Sequence, residues 1–299
     1  MPVSDLNINI KSRLHKVDIN SRRDVLSRTL QGEWATTFKG HGMEFAGFRE
    51  YEYGDDASMI DWKASLRAKS TLIREFEDYK NFSVFFLFDV GNSMFFSSHG
   101  VLKCEYAAEI IYVLADAINK AGDAIGMAMA TDSLKIKVKP NIGMEPLTRI
   151  KLNLLNIENY GGVFDFNKAL LSSKAFLGDK GVIFIVSDFF NLPESWERYV
   201  HMLSEDYELI ALVIRDPRDR FIPEGAGQLM LKDPVSGDNL YVDTKKIRVA
   251  YNKRIIEQEE YLSNVFKRSK GDYLLLSTDD DDYVTKFVNF FQLRGKRQF

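Results

Sequence analysis

The chain has 299 residues, 45% of them hydrophobic and 13% aromatic, enough to fill a sizeable core, so wholesale disorder is excluded. Its net charge of −3 and the lack of a long basic run give no general attraction to phosphate backbones, which argues against a nucleic-acid-binding class. A single cysteine, Cys104, leaves no internal disulfide and no cysteine-based zinc site.

The four histidines, His15, His41, His99 and His201, are scattered without ligand spacing and read as surface or packing residues. Met1-Pro2-Val3-Ser4-Asp5 shows no basic region followed by an apolar one. No apolar stretch approaches the roughly 20 residues that span a bilayer. A cytoplasmic address is therefore expected.

In chain order, residues 4 to 30 read as helical, with Leu6, Ile8, Ile10, Leu14, Val17 and Ile19 on an irregular apolar face. Residues 38 to 48 are punctuated by Gly40, Gly42 and Gly47 and read as loop with short strands. Residues 49 to 67 mix charges with aromatics around a Gly54-Asp55 turn. Two readings compete there. One is a polar brace in which Arg49 and Arg67 pair Asp55 or Asp61 while Trp62 packs inward. The other is an exposed recognition surface, since Trp, Tyr and Arg dominate interface hot spots. The sequence favours the brace. Thr71 to Glu77 alternates and reads as a strand.

The chain is organised around Asn81 to Met94. The apolar run Val84-Phe85-Phe86-Leu87-Phe88 ends at Asp89, Gly91 and small polar residues. Such a run reads as a strand buried on both faces of a parallel sheet. The arrangement recurs once, at Gly181 to Asp188. Two strands thus each deliver an aspartate at the carboxyl edge, where open α/β sheets bind ligands. Each Asp could simply cap the following helix, or the two could share a hard cation.

Between and after these strands the pattern alternates. Helices are expected over 102–120, 147–157, 166–177, 193–203, 245–269 and 283–293. Strands are expected over 124–130, 134–138, 207–214 and 272–276, with a hairpin from Leu229–Leu231 and Leu240–Val242. Lysines at alternate positions of 134–138 suit an edge strand. The order predicts a doubly wound, mainly parallel α/β sheet with one antiparallel edge. Two regions are expected: an N-terminal segment over 1–80 packed on the core, and the α/β domain over 81–299.

Asp89, the Ser93 hydroxyl and Asp188 are oxygen donors of the kind Mg²⁺ prefers. Asp89-Val90-Gly91-Asn92-Ser93 resembles the Asp-x-Ser-x-Ser motif of von Willebrand factor A domains, the metal-ion-dependent adhesion site. Gly161-Gly162 resembles the Gly-Gly before the motif's threonine, and Ser187-Asp188 its final aspartate. Tyr51, Gly54-Asp55 and Ile60-Asp61-Trp62, within the Arg49–Arg67 segment, are similar to the signature of the bacterial domain-of-unknown-function 58 family. The Asp233-Pro234…Gly237 hairpin and Phe290-Phe291…Arg294 are similar to that family as well. The resemblance implies a von Willebrand A-like domain after the signature, and a partnership with a MoxR-type AAA+ ATPase. The chain would then be a non-enzymatic adaptor that helps assemble or activate other proteins, among them other von Willebrand A-domain proteins.

Two departures weaken the expected metal site. Gly91 stands where the motif has its first serine, and Val163 or Phe164 where it has its threonine. Any Mg²⁺ held by Asp89, Ser93 and Asp188 is expected to be weak. The interaction surface is expected at Arg49, Tyr51, Asp55, Asp61, Trp62 and Arg67. Asp279 to Asp282 lacks the Gly and Glu of a calcium loop and reads as acids at a helix N-terminus. No phosphate-binding loop, dinucleotide fingerprint or nucleophile elbow is present. The remaining alternative is a metal-dependent hydrolase using Asp89 and Asp188.

Overall fold

Before the main sheet come a helix, α1 (Ile10–Ile19), and a small antiparallel pair, β1 (Glu44–Glu50) and β2 (Leu72–Glu77). A 3-10 turn at Ala57–Met59 and a helix, α2 (Trp62–Ala68), connect the pair. The structure is a computed structural model that describes residues 10–19, 34, 44–77, 83–178, 180–232, 237–280 and 282–295. The expected helix over 4–30 is thus seen as α1, and its remainder lies outside the described residues, as do residues 38–43. Residues 44–48, expected as loop with short strands, lie in β1.

The chain then alternates: β3 (Ser83–Asp89), α3 (Lys103–Lys120), β4 (Ala124–Ala130), β5 (Leu134–Asn141), α4 (Met144–Leu155), α5 (Phe166–Phe176), β6 (Gly181–Ser187) and α6 (Trp196–Ser204). It continues with β7 (Tyr207–Arg215), a one-turn helix α7 (Pro217–Arg220), the hairpin β8 (Gln228–Lys232) and β9 (Asn239–Asp243), α8 (Thr244–Arg268), β10 (Asp272–Ser277) and α9 (Tyr283–Gly295). The six-stranded sheet has the order β10-β7-β6-β3-β4-β5. All its pairs are parallel except β4 with β5. This is the doubly wound α/β architecture with one antiparallel edge that the alternation predicts. Side chains along β5 alternate between inside and solvent, as an edge strand requires.

The sheet is covered on both faces, which is why its central strands are apolar throughout. On one face Phe86 and Phe88 of β3 and Phe184 of β6 pack with α3, α4 and α9. On the other, Phe85, Leu87, Ile183 and Ile185 pack with α5, α6 and α8. Each fully buried Phe or Leu contributes roughly 2 kcal/mol of burial. Ile10, Leu14 and Trp34 join the first of these clusters. Trp34 meets Phe184 and Phe291 at ring-centroid distances of 6.1 and 5.7 Å, and donates to Asp123 at 2.7 Å. Residues near the start of the chain are therefore part of the main core.

Strand order reverses between β3 and β6: β4 lies beyond β3 on one side and β7 beyond β6 on the other. That is the topological switch point, where the ends of neighbouring parallel strands splay and leave a crevice. In the parallel register Phe88 lies opposite Val186, which brings Asp89 beside Ser187.

Candidate functional site

Asp89 and Asp188 leave adjacent parallel strands at the same edge of the sheet, and both are buried. Asp89 Oδ2 accepts from the Ser187 hydroxyl at 2.7 Å, and Oδ1 accepts from the Gly91 N–H at 2.8 Å. Burial and the neighbouring Asp188 charge push the Asp89 carboxyl up to about 7, against the pull of Ser187, Gly91 and Lys103.

Asp188 has a different partner. Its Oδ2 lies 2.8 Å from Lys103 Nζ, and its Oδ1 accepts from the Phe190 N–H at 3.1 Å. Burial acts to raise its pKa, but the charges of Lys103 and Arg215 outweigh it, so the Asp188 carboxyl sits below the usual range. The Lys103 ammonium also lies 2.9 Å from Asp219 Oδ2, and its side chain is only 2% exposed. Burial alone would push Lys103 down; the two carboxylates more than offset this, and it stays protonated. The rings of Phe96 and Phe190 lie 5.8 and 5.4 Å from its nitrogen.

Phe190 is aimed by strain. Phe189, just after Asp188, has φ 51°, in the left-handed region that costs a non-glycine residue roughly 1–2 kcal/mol. Its ring is fully buried against Phe166 and Phe266, at 5.7 and 5.8 Å, which offsets the strain. The next residue, Phe190, then lies over Arg215, with the guanidinium carbon 3.5 Å from the ring centroid. Arg215 is itself fully buried.

The two departures from the adhesion motif are spatial neighbours. A Cβ at Gly91 would stand 3.0 Å from Asp89 Oδ1 and 3.0 Å from Phe164 Cβ. The space of the missing serine is thus crowded by Phe164, two residues after Gly161-Gly162. That glycine pair, with φ 91° and 122°, is tied to the first loop: Gly161 N–H donates to Val90 O at 2.8 Å, and Gly162 N–H to Asn92 Oδ1 at 2.9 Å. Ser93 is half-buried on the 3-10 turn Asn92–Phe95.

The residues present do not fit a resident Mg²⁺. Asp188 faces an ammonium, Asp89 is engaged by Ser187 and Gly91, and the serine position is crowded. Among the described residues no group of three or more His, Cys, Asp or Glu side chains is placed to hold a metal ion. The structure thus brings Asp89 and Asp188 together as expected, but gives each a partner within the protein, with Ser93 half-buried on the neighbouring turn. Lys103, Arg215 and Asp219 were missed by the sequence reading. One signal was available: a lysine in the first turn of a helix opposes the helix dipole, and a nearby carboxylate would explain it.

The Arg49–Arg67 segment is a brace in part. Arg49 pairs Asp55 bidentately, 2.7 Å on each arm, and Asp55 also accepts from Glu52 N–H at 2.9 Å. Asp61 caps α2 through the Lys63 and Ala64 N–H groups, both at 3.0 Å, and pairs Arg74, where Arg67 was expected. Tyr51 is half-buried, its N–H bonded to Thr71 O at 2.8 Å. Trp62, however, does not pack inward. It is 67% exposed and Leu66, four residues on, is 82% exposed. Tyr53 is fully exposed, and Phe48 and Met59 are exposed as well. The segment is thus braced by ion pairs while Phe48, Tyr53 and Trp62 face out. The run at 279–282 behaves as helix-terminal acids: Asp282 accepts from Thr285 N–H at 3.3 Å at the start of α9, while Asp281 lies outside the described residues.

The model of the family described as "protein of unknown function DUF58" matches residues 47–261. An uncharacterised protein of Mycobacterium tuberculosis is 23% identical over 214 residues, which cover 71% of this chain and 67% of the relative. Among solved structures, the conserved hypothetical protein BatB from Bacteroides thetaiotaomicron is similar with 15% identity and a TM-score of 0.49, over 71% of this chain and 98% of that one. A von Willebrand factor type A protein from Catenulispora acidiphila is similar with 9% identity and a TM-score of 0.41, over 75% of this chain and 44% of that one.

Proposed function

This chain belongs to the DUF58 family, and on that premise we propose that it is a non-enzymatic protein-interaction module, the adaptor or partner of a MoxR-type AAA+ ATPase. In this role it helps assemble or activate other proteins, von Willebrand A-domain proteins among them, in the cytoplasm. The ATPase and its clients rest on the family resemblance. Among the described residues, no helix is long and apolar enough to cross a membrane.

The observation that carries the reading is the exposed aromatic face of α2 and its turn. Exposed Trp and Tyr side chains lose apolar contact with water only when a partner covers them. Here Trp62 and Leu66 share one helix face. Exposed Lys63, Arg67 and Lys69 lie beside them on the same short segment. Tryptophan, tyrosine and arginine are the residues that dominate interface energetics. The Arg49–Asp55 and Asp61–Arg74 pairs hold this face rigid before binding, which lowers the cost of association.

The test is capture of the MoxR-type ATPase by wild-type protein and by Trp62→Ala. The variant should melt within about 2 °C of wild type, because Trp62 is mostly exposed, yet bind the ATPase at least about 10-fold more weakly. Equal capture by both proteins would move the interface elsewhere.

A further inference from the structure

The strand tips carry their own counter-charge. Lys103 enters from the first turn of α3, Asp188 from the end of β6, and Asp219 from α7. The ammonium lies 2.8 Å from Asp188 and 2.9 Å from Asp219, out of reach of solvent. We infer that Lys103 is the resident cation of this site, standing where an adhesion-type site would hold a divalent ion, and that the protein closes its strand-tip crevice without metal.

Three further observations support this. Asp188 already faces two internal cations, since Arg215 adds its charge to that of Lys103. Phe190 lies over Arg215 and near Lys103, so an aromatic ring flanks both cations that face Asp188. The position that would add a serine ligand is crowded at Gly91, where a Cβ would stand 3.0 Å from both Phe164 Cβ and Asp89 Oδ1. The groups facing Lys103 are thus Asp188, Asp219, Phe96 and Phe190, with Asp89 and Arg215 just beyond. A fixed ammonium also does mechanical work that a dissociable ion cannot. It pins the start of α3 to β6 and α7 at every divalent-ion concentration. The inference is independent of the α2 interface, and it implies that any partner binding there needs no metal.

Thermal melting and Mn²⁺ binding test it on the full chain. Wild-type protein should melt at the same temperature, within about 1 °C, in EDTA, in millimolar MgCl₂ and in millimolar MnCl₂ at matched ionic strength. Titration of Mn²⁺ followed by its paramagnetic resonance signal should show no stoichiometric site. Lys103→Ser removes the ammonium and leaves a small oxygen donor beside Asp188. Its melting temperature in EDTA should fall by on the order of 10 °C, the scale expected when one member of a buried pair is removed. Part of that loss should return with MnCl₂. Wild-type protein that binds one equivalent of Mn²⁺, and loses it in Asp188→Asn, would overturn the inference. So would a Lys103→Ser variant as stable in EDTA as wild type. Should Lys103→Ser fail to fold, the wild-type Mn²⁺ titration still decides the matter.

Discussion

Asp89 shows how far one buried carboxyl can depart from its solution behaviour. Its surroundings supply two donors, Ser187 Oγ and Gly91 N–H, but also complete burial and the charge of Asp188. In the unfolded chain it ionises near 3.8; in the folded protein it holds its proton up to about 7. Between those values the folded state binds a proton that the unfolded state has released. Asp89 therefore contributes stability that is fully present below about pH 4 and is lost as pH rises through about 7. Asp188, held low by Lys103 and Arg215, works in the opposite sense: its contribution is present at neutral pH and is lost on acidification. Asp89→Asn removes the first term while keeping the shape, its amide oxygen able to accept from Gly91 and its NH₂ to donate to Ser187. The melting temperature of wild type should decline from pH 5 to pH 8, and that of Asp89→Asn should be flatter over the same range. Parallel slopes would mean that Asp89 is ionised in the folded protein throughout.

At the scale of elements, what could be read from the sequence was what repeats locally. Two five- or six-residue apolar runs ending in Asp89 and Asp188 announced central strands, because burial on both faces removes polar alternation. The alternating lysines of β5 announced an edge. The site itself was half legible. Both carboxylates were found, but Lys103 is 85 residues from Asp188 and nothing local tells a solvated lysine from one laid across strand tips. Trp62 failed for a related reason: apolar area worth burying does not specify whether this chain or another buries it. Close backbone approach was equally hidden. At Gly126 of β4 an added Cβ would stand 2.7 Å from Pro140 N and 2.7 Å from Val138 O, backbone atoms at an irregularity in β5 that cannot rotate aside. Gly126→Ala should cost about 1–3 kcal/mol in denaturant unfolding, as overpacking does. Gly47→Ala, where a Cβ meets nothing within 4 Å, should leave stability unchanged or slightly raised. Equal effects at the two sites would show that β5 yields at its irregularity.

Across the whole molecule, the edge that the fold would offer to a ligand holds its own ammonium, while Phe48, Tyr53 and Trp62 lie exposed on a small unit before the main sheet. The three tryptophans report on this division. Trp34 is buried against Phe184 and Phe291, and Trp196 is buried against Phe166 and Phe266. Only Trp62 among them is open to solvent. Acrylamide should therefore quench one accessible population of the native protein's fluorescence, leaving a second population protected. Trp62→Phe should abolish the accessible population and leave the protected one. Binding of the ATPase at the α2 face should protect Trp62 in the wild-type protein, because a partner that covers the helix excludes quencher and water alike. That protection should be the same in EDTA as in MgCl₂, since the charge at the strand tips is already balanced by Lys103 and Arg215. A quenchable fraction that persists in Trp62→Phe would mean that the core admits solvent. With the ATPase free of nucleotide, so that EDTA acts on no Mg·ATP, protection that vanishes with EDTA would return the interface to the strand tips and to a metal.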